Sequence, residues 1–355
     1  MITQILQPTD EAIASAVEIL KEGGLVGMPT ETVYGLAADA MNEKGVRAIF
    51  AAKGRPADNP LIVHVYDPQQ AEPLCEISEA SRQLMEAFCP GPLTLLMPKK
   101  SCILPVVNAG LESVAIRIPS HPVAQKLLRA SGMAIAAPSA NTSGKPSPTT
   151  SAHVLHDLSG IIPLVLEGGE CQVGLESTVV DMTREIPTIL RPGGVTPEML
   201  LRVLPEVQVA DSVLRPLREG EKALSPGMMY RHYAPSGRLV LIRGEETPVA
   251  EAITLLYRQA RKEGKSARIL AFEEHLANYP EGSATSIGSL QKPETVMHSL
   301  FSVLRDMDTE GMEQMFGEML PAEGYGLAIM NRFCRAAAFR VLDAEEILKE
   351  PSDMK

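Results

Sequence analysis

Residues 27–64 read GMPTETVYGLAADAMNEKGVRAIFAAKGRPADNPLIVH. An apolar run, GGLVGM, leads into a polar turn, PTETVYGL. A helical stretch follows, ends in a cationic cluster, KGRP, and gives way to a second apolar run that closes on His64. The pattern predicts a strand–helix–strand unit. The polar turn then lies at the carboxyl end of a strand, where α/β proteins bind ligands. Thr30, Thr32 and Tyr34 bring hydroxyls to it and Glu31 a carboxylate, more than a helix cap requires. Lys53 and Arg55 stand two apart at the helix end, a point charge and a bidentate fork able to converge on a phosphate chain. A solvated helix C-terminus would favour the same cations. Asn59 and His64 just downstream tip the balance, and the stretch reads as one wall of an anion-binding site.

On either side of it, strands and helices alternate. Residues 8–22 predict a helix capped by Thr9 or Asp10, with Ile13, Val17 and Leu20 on one face. Residues 42–53 predict a helix capped near Asn42, 60–66 a strand, 78–88 a helix opening at Ser78, and HPVAQKLLRASG a helix ending at Gly132. SVAIRIPS alternates Val114, Ile116 and Ile118, which puts Arg117 on the opposite face, either solvated or serving as a carboxylate clamp. APSANTSGKPSPT is a polar loop that offers Ser139, Asn141, Ser147 and others; it suits a nucleotide held by hydroxyls and backbone N–H groups, or a flexible linker. LVLEGG, ESTVVDM and PTILRPGG are short strands without intervening helices, so a mixed sheet is expected. They add Ser177, Thr178 and Arg191. Residues 205–237 lack periodicity and read as a linker. From Arg238 a second βαβ pattern runs to the end, with long helices over roughly 293–320 and no GxGxxG fingerprint.

The chain has 355 residues, enough for two domains. No apolar run reaches the ~18 residues of a spanning helix, and no secretory signal is seen, so no membrane partner is expected. Five scattered cysteines without a CxxC pair fit a reducing cytoplasm better than a disulfide framework or zinc site. His153 and His156 are spaced for one helix face but lack a third ligand, and read as surface residues. A formal net charge of −11 and 4% aromatics argue against stable nucleic-acid binding, although an RNA-binding module using a cationic groove is the competing class.

PTETVYGLAADA, KGRPADNPLIVHV, CPGPLTL, VAIRIPSHP, APSANTSGKPSPT, GLESTVVD, LRPGG and SPGMMYRHYAP occur in this order. Together they resemble the YrdC-like threonylcarbamoyl-AMP synthases in their longer, two-domain form. AIMNRFCRAAAF resembles the second domain of that form. The resemblance implies a twisted mixed α/β sheet flanked by helices around a large cationic cavity (residues 1–204), a linker folding over it (205–237), and a smaller Rossmann-like domain (238–355). It implies a nucleotidyltransferase that makes threonylcarbamoyl-AMP and pyrophosphate from L-threonine, bicarbonate or CO2, and ATP. A separate transferase would pass the product to tRNA. The matching positions imply threonine at Thr32, His64, Arg117, Ala137 and Ser177. They imply ATP at Arg55, Asn59, Ser113, Ser139, Ser147, Arg191 and Tyr230, with Lys53 beside the phosphates and Lys53 and Arg55 as the catalytic cations. Mg²⁺ is expected through the phosphates, with no protein ligand. One departure is Met229, at a position often held by lysine. No general base is assigned; His64 is the only nearby group that ordinarily titrates near neutrality, and Glu31 is a second candidate.

Overall fold

The opening stretch folds as strand, turn, strand, helix, strand, one strand more than its pattern predicts. In the computed structural model, which describes residues 1–215 and 233–349, the first part of the chain begins with β1 (Gln4–Leu6), α1 (Asp10–Lys21), β2 (Val26–Met28), β3 (Gly35–Asp39), α2 (Glu43–Lys53) and β4 (Ile62–His64). It continues through α3 (Pro68–Ala71), α4 (Glu79–Phe88), β5 (Leu93–Pro98), α5 (Pro105–Asn108), β6 (Ser113–Arg117), α6 (Pro122–Ser131) and β7 (Ile135–Ala136). It ends with α7 (Ser151–Leu158), β8 (Leu164–Leu166), β9 (Thr178–Asp181), β10 (Thr188–Arg191), α8 (Pro197–Leu200) and β11 (Gln208–Val209). The polar turn therefore connects β2 to β3, which pair antiparallel through Gly27 and Leu36. GLAAD carries no β-branched residue, so its strand character comes from pairing on both sides and not from local propensity.

The helices follow local rules. Thr9, Asn42 and Ser78 each accept a backbone N–H as N-caps of α1, α2 and α4. α2 ends at Gly54, whose φ of 60° is left-handed and cheap only for glycine. Val46, Ile49 and Phe50 of α2 are buried.

Among the described residues, eleven strands form one mixed sheet in the order β1-β8-β2-β3-β7-β4-β6-β5-β9-β10-β11. On one face α1 and α6 pack Ile13, Val17, Leu20, Leu127 and Leu128 against β8, β2, β3 and β7. The other face buries Ile49, Leu84, Leu95, Ile116 and Val180 in the larger core. Over β4, β6, β5, β9 and β10 a smaller cluster, Ile62, Ala115, Leu96, Val179 and Leu190, lines up across the strands. Two residues further along β4 and β6, and two residues earlier on the antiparallel β5, on the same faces of those strands, the apolar side chains are replaced by His64, Arg117 and Thr94.

The second part has β12 (Arg238–Arg243), α9 (Glu246–Lys262), β13 (Ala267–Ala271), β14 (Ala284–Ser286), α10 (Pro293–Thr309), β15 (Gln314–Glu318), α11 (Tyr325–Ala336), β16 (Val341–Asp343) and α12 (Ala344–Lys349). Its sheet is all parallel, in the order β14-β13-β15-β12-β16. The helical reading of 293–320 is thus corrected: the helix stops at Thr309, Gly311 turns with a φ of 66°, and QMFGE becomes a central strand. The tertiary demand for a strand between β13 and β12 outweighs the local pattern. Glu318, at the carboxyl end of β15, is buried and accepts from the Phe272 N–H (3.2 Å), His275 Nδ1 (2.9 Å) and Tyr279 Oη (2.5 Å). By contacts the chain splits into two compact units, Met1–Ser143 with Ser147–Tyr230 and Gly144–Pro146 with Arg231–Lys355.

Candidate active site

Strand register assembles the site. His64 pairs with Arg117 across β4 and β6, and Arg117 with Thr94 across β6 and β5. Directly paired residues present their side chains to one face, so these three form a polar row. Thr94 Oγ1 lies 2.7 Å from Ser177 Oγ, just ahead of β9. Arg191, the last residue of β10, donates from Nη2 to that hydroxyl (3.1 Å) and from Nε to the Ser177 carbonyl (3.1 Å). The row His64–Arg117–Thr94–Ser177–Arg191 thus runs over four strands and the lead-in to β9, and is buried throughout. Gly193 closes it: a Cβ there would lie 2.4 Å from the Thr178 nitrogen, so the RPGG turn needs glycine at that point.

Arg117 is only 5% exposed, which excludes the solvated alternative for this strand position. Its Nη2 donates to Glu31 Oε1 at 2.8 Å, and Glu31 Oε2 accepts the Ser120 N–H at 3.1 Å. Glu31 is equally buried. The turn that carries it is held from several sides. Thr30 Oγ1 donates to the Val33 carbonyl (2.6 Å) and lies 2.9 Å from Thr32 Oγ1. The Val173 N–H donates to the Glu31 carbonyl, and the Tyr34 N–H to the Pro148 carbonyl.

The polar loop is tied to the same turn. The Leu36 N–H donates to the Pro138 carbonyl and the Ala140 N–H to the Tyr34 carbonyl, while Ala137 donates to Ile62 on β4. Lys53, 2% exposed, turns its ammonium onto this loop: Nζ donates to the Ser139 carbonyl and, at 2.6 Å, to the Asn141 carbonyl. Ser147 Oγ donates to Glu176 Oε1 at 2.5 Å. Arg55 Nη2 donates to the carbonyls of Asn59 (3.4 Å) and Pro60 (3.2 Å), so its guanidinium folds over its own loop.

Thr32, His64, Arg117, Ser177 and Arg191 are therefore brought together, with Ala137 and Ser139 beside them on the tied loop. Ser113 stands apart. It opens β6 and Arg117 closes it, four residues or roughly 13 Å along the strand at the usual rise. Tyr230, Met229 and most of the predicted linker lie outside the described residues. Sequence reasoning missed Thr94 and Glu176 altogether. Glu176 had a local signal, a lone carboxylate beside Ser177 in LESTVV; Thr94 had only its position in an apolar strand.

Several buried polar atoms of the site have no partner among the described residues: both polar atoms of the Asn59 side chain, His64 Nδ1 and Arg117 Nε. Asn59 and His64 are 1% and 2% exposed, so these groups are buried without a protein partner among the described residues. Burial, with the nearby Arg117 charge adding to it, pushes the His64 pKa down to about 3. The imidazole is neutral at pH 7, which removes it as a group titrating near neutrality. Because its folded pKa lies below the ordinary value of 6.5, unfolding takes up a proton. The stability it confers is complete above about pH 6.5 and is lost progressively as pH falls toward 3. Urea midpoints of the wild type should therefore fall between pH 7 and 5, and His64→Gln should flatten that part of the profile. An unchanged slope in the variant would contradict the assignment.

The sequence model described as "Telomere recombination" (Sua5_yciO_yrdC) matches residues 18–193, and that described as "Threonylcarbamoyl-AMP synthase, C-terminal domain" matches residues 195–338. The chain is 44% identical to a threonylcarbamoyl-AMP synthase of Bacillus subtilis, over 96% of its own length and 97% of that protein's. It is 41% identical to one of Pyrococcus abyssi, over 93% and 95%. The chain belongs to the two-domain threonylcarbamoyl-AMP synthases. A crystal structure of P. abyssi Sua5 complexed with L-threonine superposes with a TM-score of 0.89 at 40% identity, covering 96% of this chain and 98% of that one. Membership of the synthase family makes the polar row a candidate enzyme active site. No helix among the described residues is long and apolar enough to cross a membrane.

Proposed function

We propose that this chain joins L-threonine, bicarbonate or CO2, and ATP into threonylcarbamoyl-AMP, releasing pyrophosphate, and that a tRNA-modifying transferase consumes the product. The unpartnered buried Arg117 Nε, with His64 Nδ1 on the paired strand, carries this reading. A site that hides a guanidinium N–H and an imidazole nitrogen without partners is built for a small polar ligand with a carboxylate. The threonine-bound P. abyssi relative supports the amino acid's identity. In this reading Arg117, His64, Thr32, Ala137 and Ser177 hold threonine. Arg55, Asn59, Ser139, Ser147, Arg191, Ser113 and Tyr230 hold ATP.

The chemistry asks for two attacks. The amine of threonine adds to the one-carbon species, water leaves in the bicarbonate case, and the resulting carbamate displaces pyrophosphate from the α-phosphate. The reacting groups are anionic, so the protein's task is to position them and offset their repulsion. Arg55 and Arg191 are the cations suited to the phosphates. The described residues contain no cluster of three His, Cys, Asp or Glu side chains able to hold a metal, and Glu31 and Glu176 are taken up by Arg117 and Ser147. Mg²⁺ accompanies the triphosphate and neutralises part of its charge. Five free thiols suit a reducing cytoplasm.

Pyrophosphate release measured with ATP, bicarbonate and each amino acid in turn should respond to threonine; no response to threonine overturns the proposal. Arg55→Ala should lower turnover by about tenfold or more, since a bidentate phosphate contact is lost. A melting temperature near wild type in the same variant separates loss of the phosphate contact from loss of the fold. Wild-type turnover in that variant would remove Arg55 from the phosphate site.

A further inference from the structure

We propose that Glu31 makes the Arg117 site selective for a zwitterion: the buried Glu31–Arg117 pair accepts an α-carboxylate and an α-ammonium together and rejects an acid that lacks the amine. The inference rests on the reading of threonine as substrate and assigns Glu31 a specificity-determining role within it.

The pair is a closed electrostatic unit. Both side chains are 5% exposed and meet at 2.8 Å. One Glu31 oxygen is spent on Arg117 and the other on the Ser120 N–H, so the carboxylate is fixed in place. Its charge already balances the guanidinium. Among the described residues, nothing else facing the pair supplies a surplus. On β4, His64 is neutral, its pKa pushed down to about 3 by burial. Before β5, burial pushes the Cys89 thiol up to about 12; in the loop ahead of β9 it raises the Cys171 thiol as well, and both stay protonated. Glu170 in that loop is exposed. Further along the row the charged groups are Arg191, which grips Ser177, and Glu176, which takes Ser147; they carry opposite signs.

A lone carboxylate entering this pocket would leave one uncompensated negative charge out of water, which is costly. A zwitterion adds no net charge. Its carboxylate can meet the unpartnered Arg117 Nε while its ammonium stands near the Glu31 carboxylate. Arg117 alone would favour any small carboxylate; the added Glu31 turns charge complementarity into discrimination.

The test is a calorimetric titration of the full-length protein with L-threonine and with 3-hydroxybutanoate, the same skeleton without the amine. Wild type should prefer threonine by about 100-fold or more, as sites built to pair a polar group reject the analogue lacking it. Glu31→Gln should weaken threonine by roughly tenfold or more while 3-hydroxybutanoate binds no less tightly, so the preference collapses. An unchanged preference in the folded variant overturns the inference. Should Glu31→Gln fail to fold, the wild type decides. 3-Hydroxybutanoate should bind undetectably or with uptake of about one proton, read from titrations in buffers of different ionisation enthalpy. Tight binding of the bare acid without proton uptake overturns the inference. If threonine itself does not bind wild type, the substrate reading fails and this inference falls with it, a result distinct from threonine binding with no effect of Glu31.

Discussion

Arg117→Met should cost about 3–5 kcal/mol of folding stability, because it leaves the Glu31 carboxylate buried beside an apolar side chain. The pair is 5% exposed on both sides, so the screening that makes surface ion pairs weak does not apply. Glu31 keeps one compensating donor, the Ser120 N–H, too little to hold a full charge out of water. The double variant Arg117→Met/Glu31→Gln should recover most of that loss, since a neutral amide can still accept from Ser120 and no unpaired charge remains. Removing both members of a buried pair is often near neutral for stability, whereas removing one is not. Neither variant should bind threonine. Stability and function thus separate: the double variant folds and is inactive. Chemical denaturation of the four proteins in the cycle measures the coupling. Single-variant losses that simply add, within about 0.5 kcal/mol, would show that the two side chains do not act as a pair.

The legible parts of this fold are those whose signals are local. Thr9, Asn42 and Ser78 cap helices where the residue pattern says they should, and Gly132 ends α6 with a φ of 64°. The strands missed are those defined by neighbours. β3 is alanine-rich and becomes a strand because β2 and β7 flank it; β15 does so because β13 and β12 need a strand between them. The site divides along the same line. The motifs mark Thr32, His64, Arg117, Ser177 and Arg191 as candidates, and the strands bring them together. That Arg117 is buried was not: alternation assigns a face without saying what covers it. Its partner Glu31 lies 86 residues away, and no spacing rule links them. The loss of His64 as a group titrating near neutrality is likewise a consequence of burial, which has no signature in a three-residue strand.

Lys53→Met should raise the KM for ATP by about tenfold or more, with threonine affinity changed by less than about threefold. The motif places this lysine beside the phosphates, but its ammonium is engaged with the polar loop. Nζ donates to the Ser139 carbonyl, to the Asn141 carbonyl at 2.6 Å and toward Asn141 Oδ1 at 3.5 Å. The Lys53 carbonyl accepts the Ser143 N–H at 2.9 Å, so the end of α2 grips the loop with both main chain and side chain. A charged donor at 2% exposure, aimed at backbone carbonyls, contributes about 1.5–3 kcal/mol per bond. Losing it leaves those oxygens unsatisfied and frees the segment that carries Ser139 and Asn141. The proposed nucleotide contacts on that loop would then be formed from a disordered starting point, and the ordering cost appears in ATP binding. The threonine side is insulated, because His64 and Arg117 stand on paired strands and the Ala137 N–H keeps its own bond to the Ile62 carbonyl of β4. Lys53→Arg should not rescue, since a planar guanidinium cannot reproduce the convergent point-charge geometry of the ammonium. The alternative, direct stabilisation of the transferring phosphate, makes the opposite forecast: kcat falls and the KM for ATP holds. Steady-state kinetics with each substrate varied in turn, on the variant shown to be folded, separates a lysine that builds the loop from one that acts on the reaction.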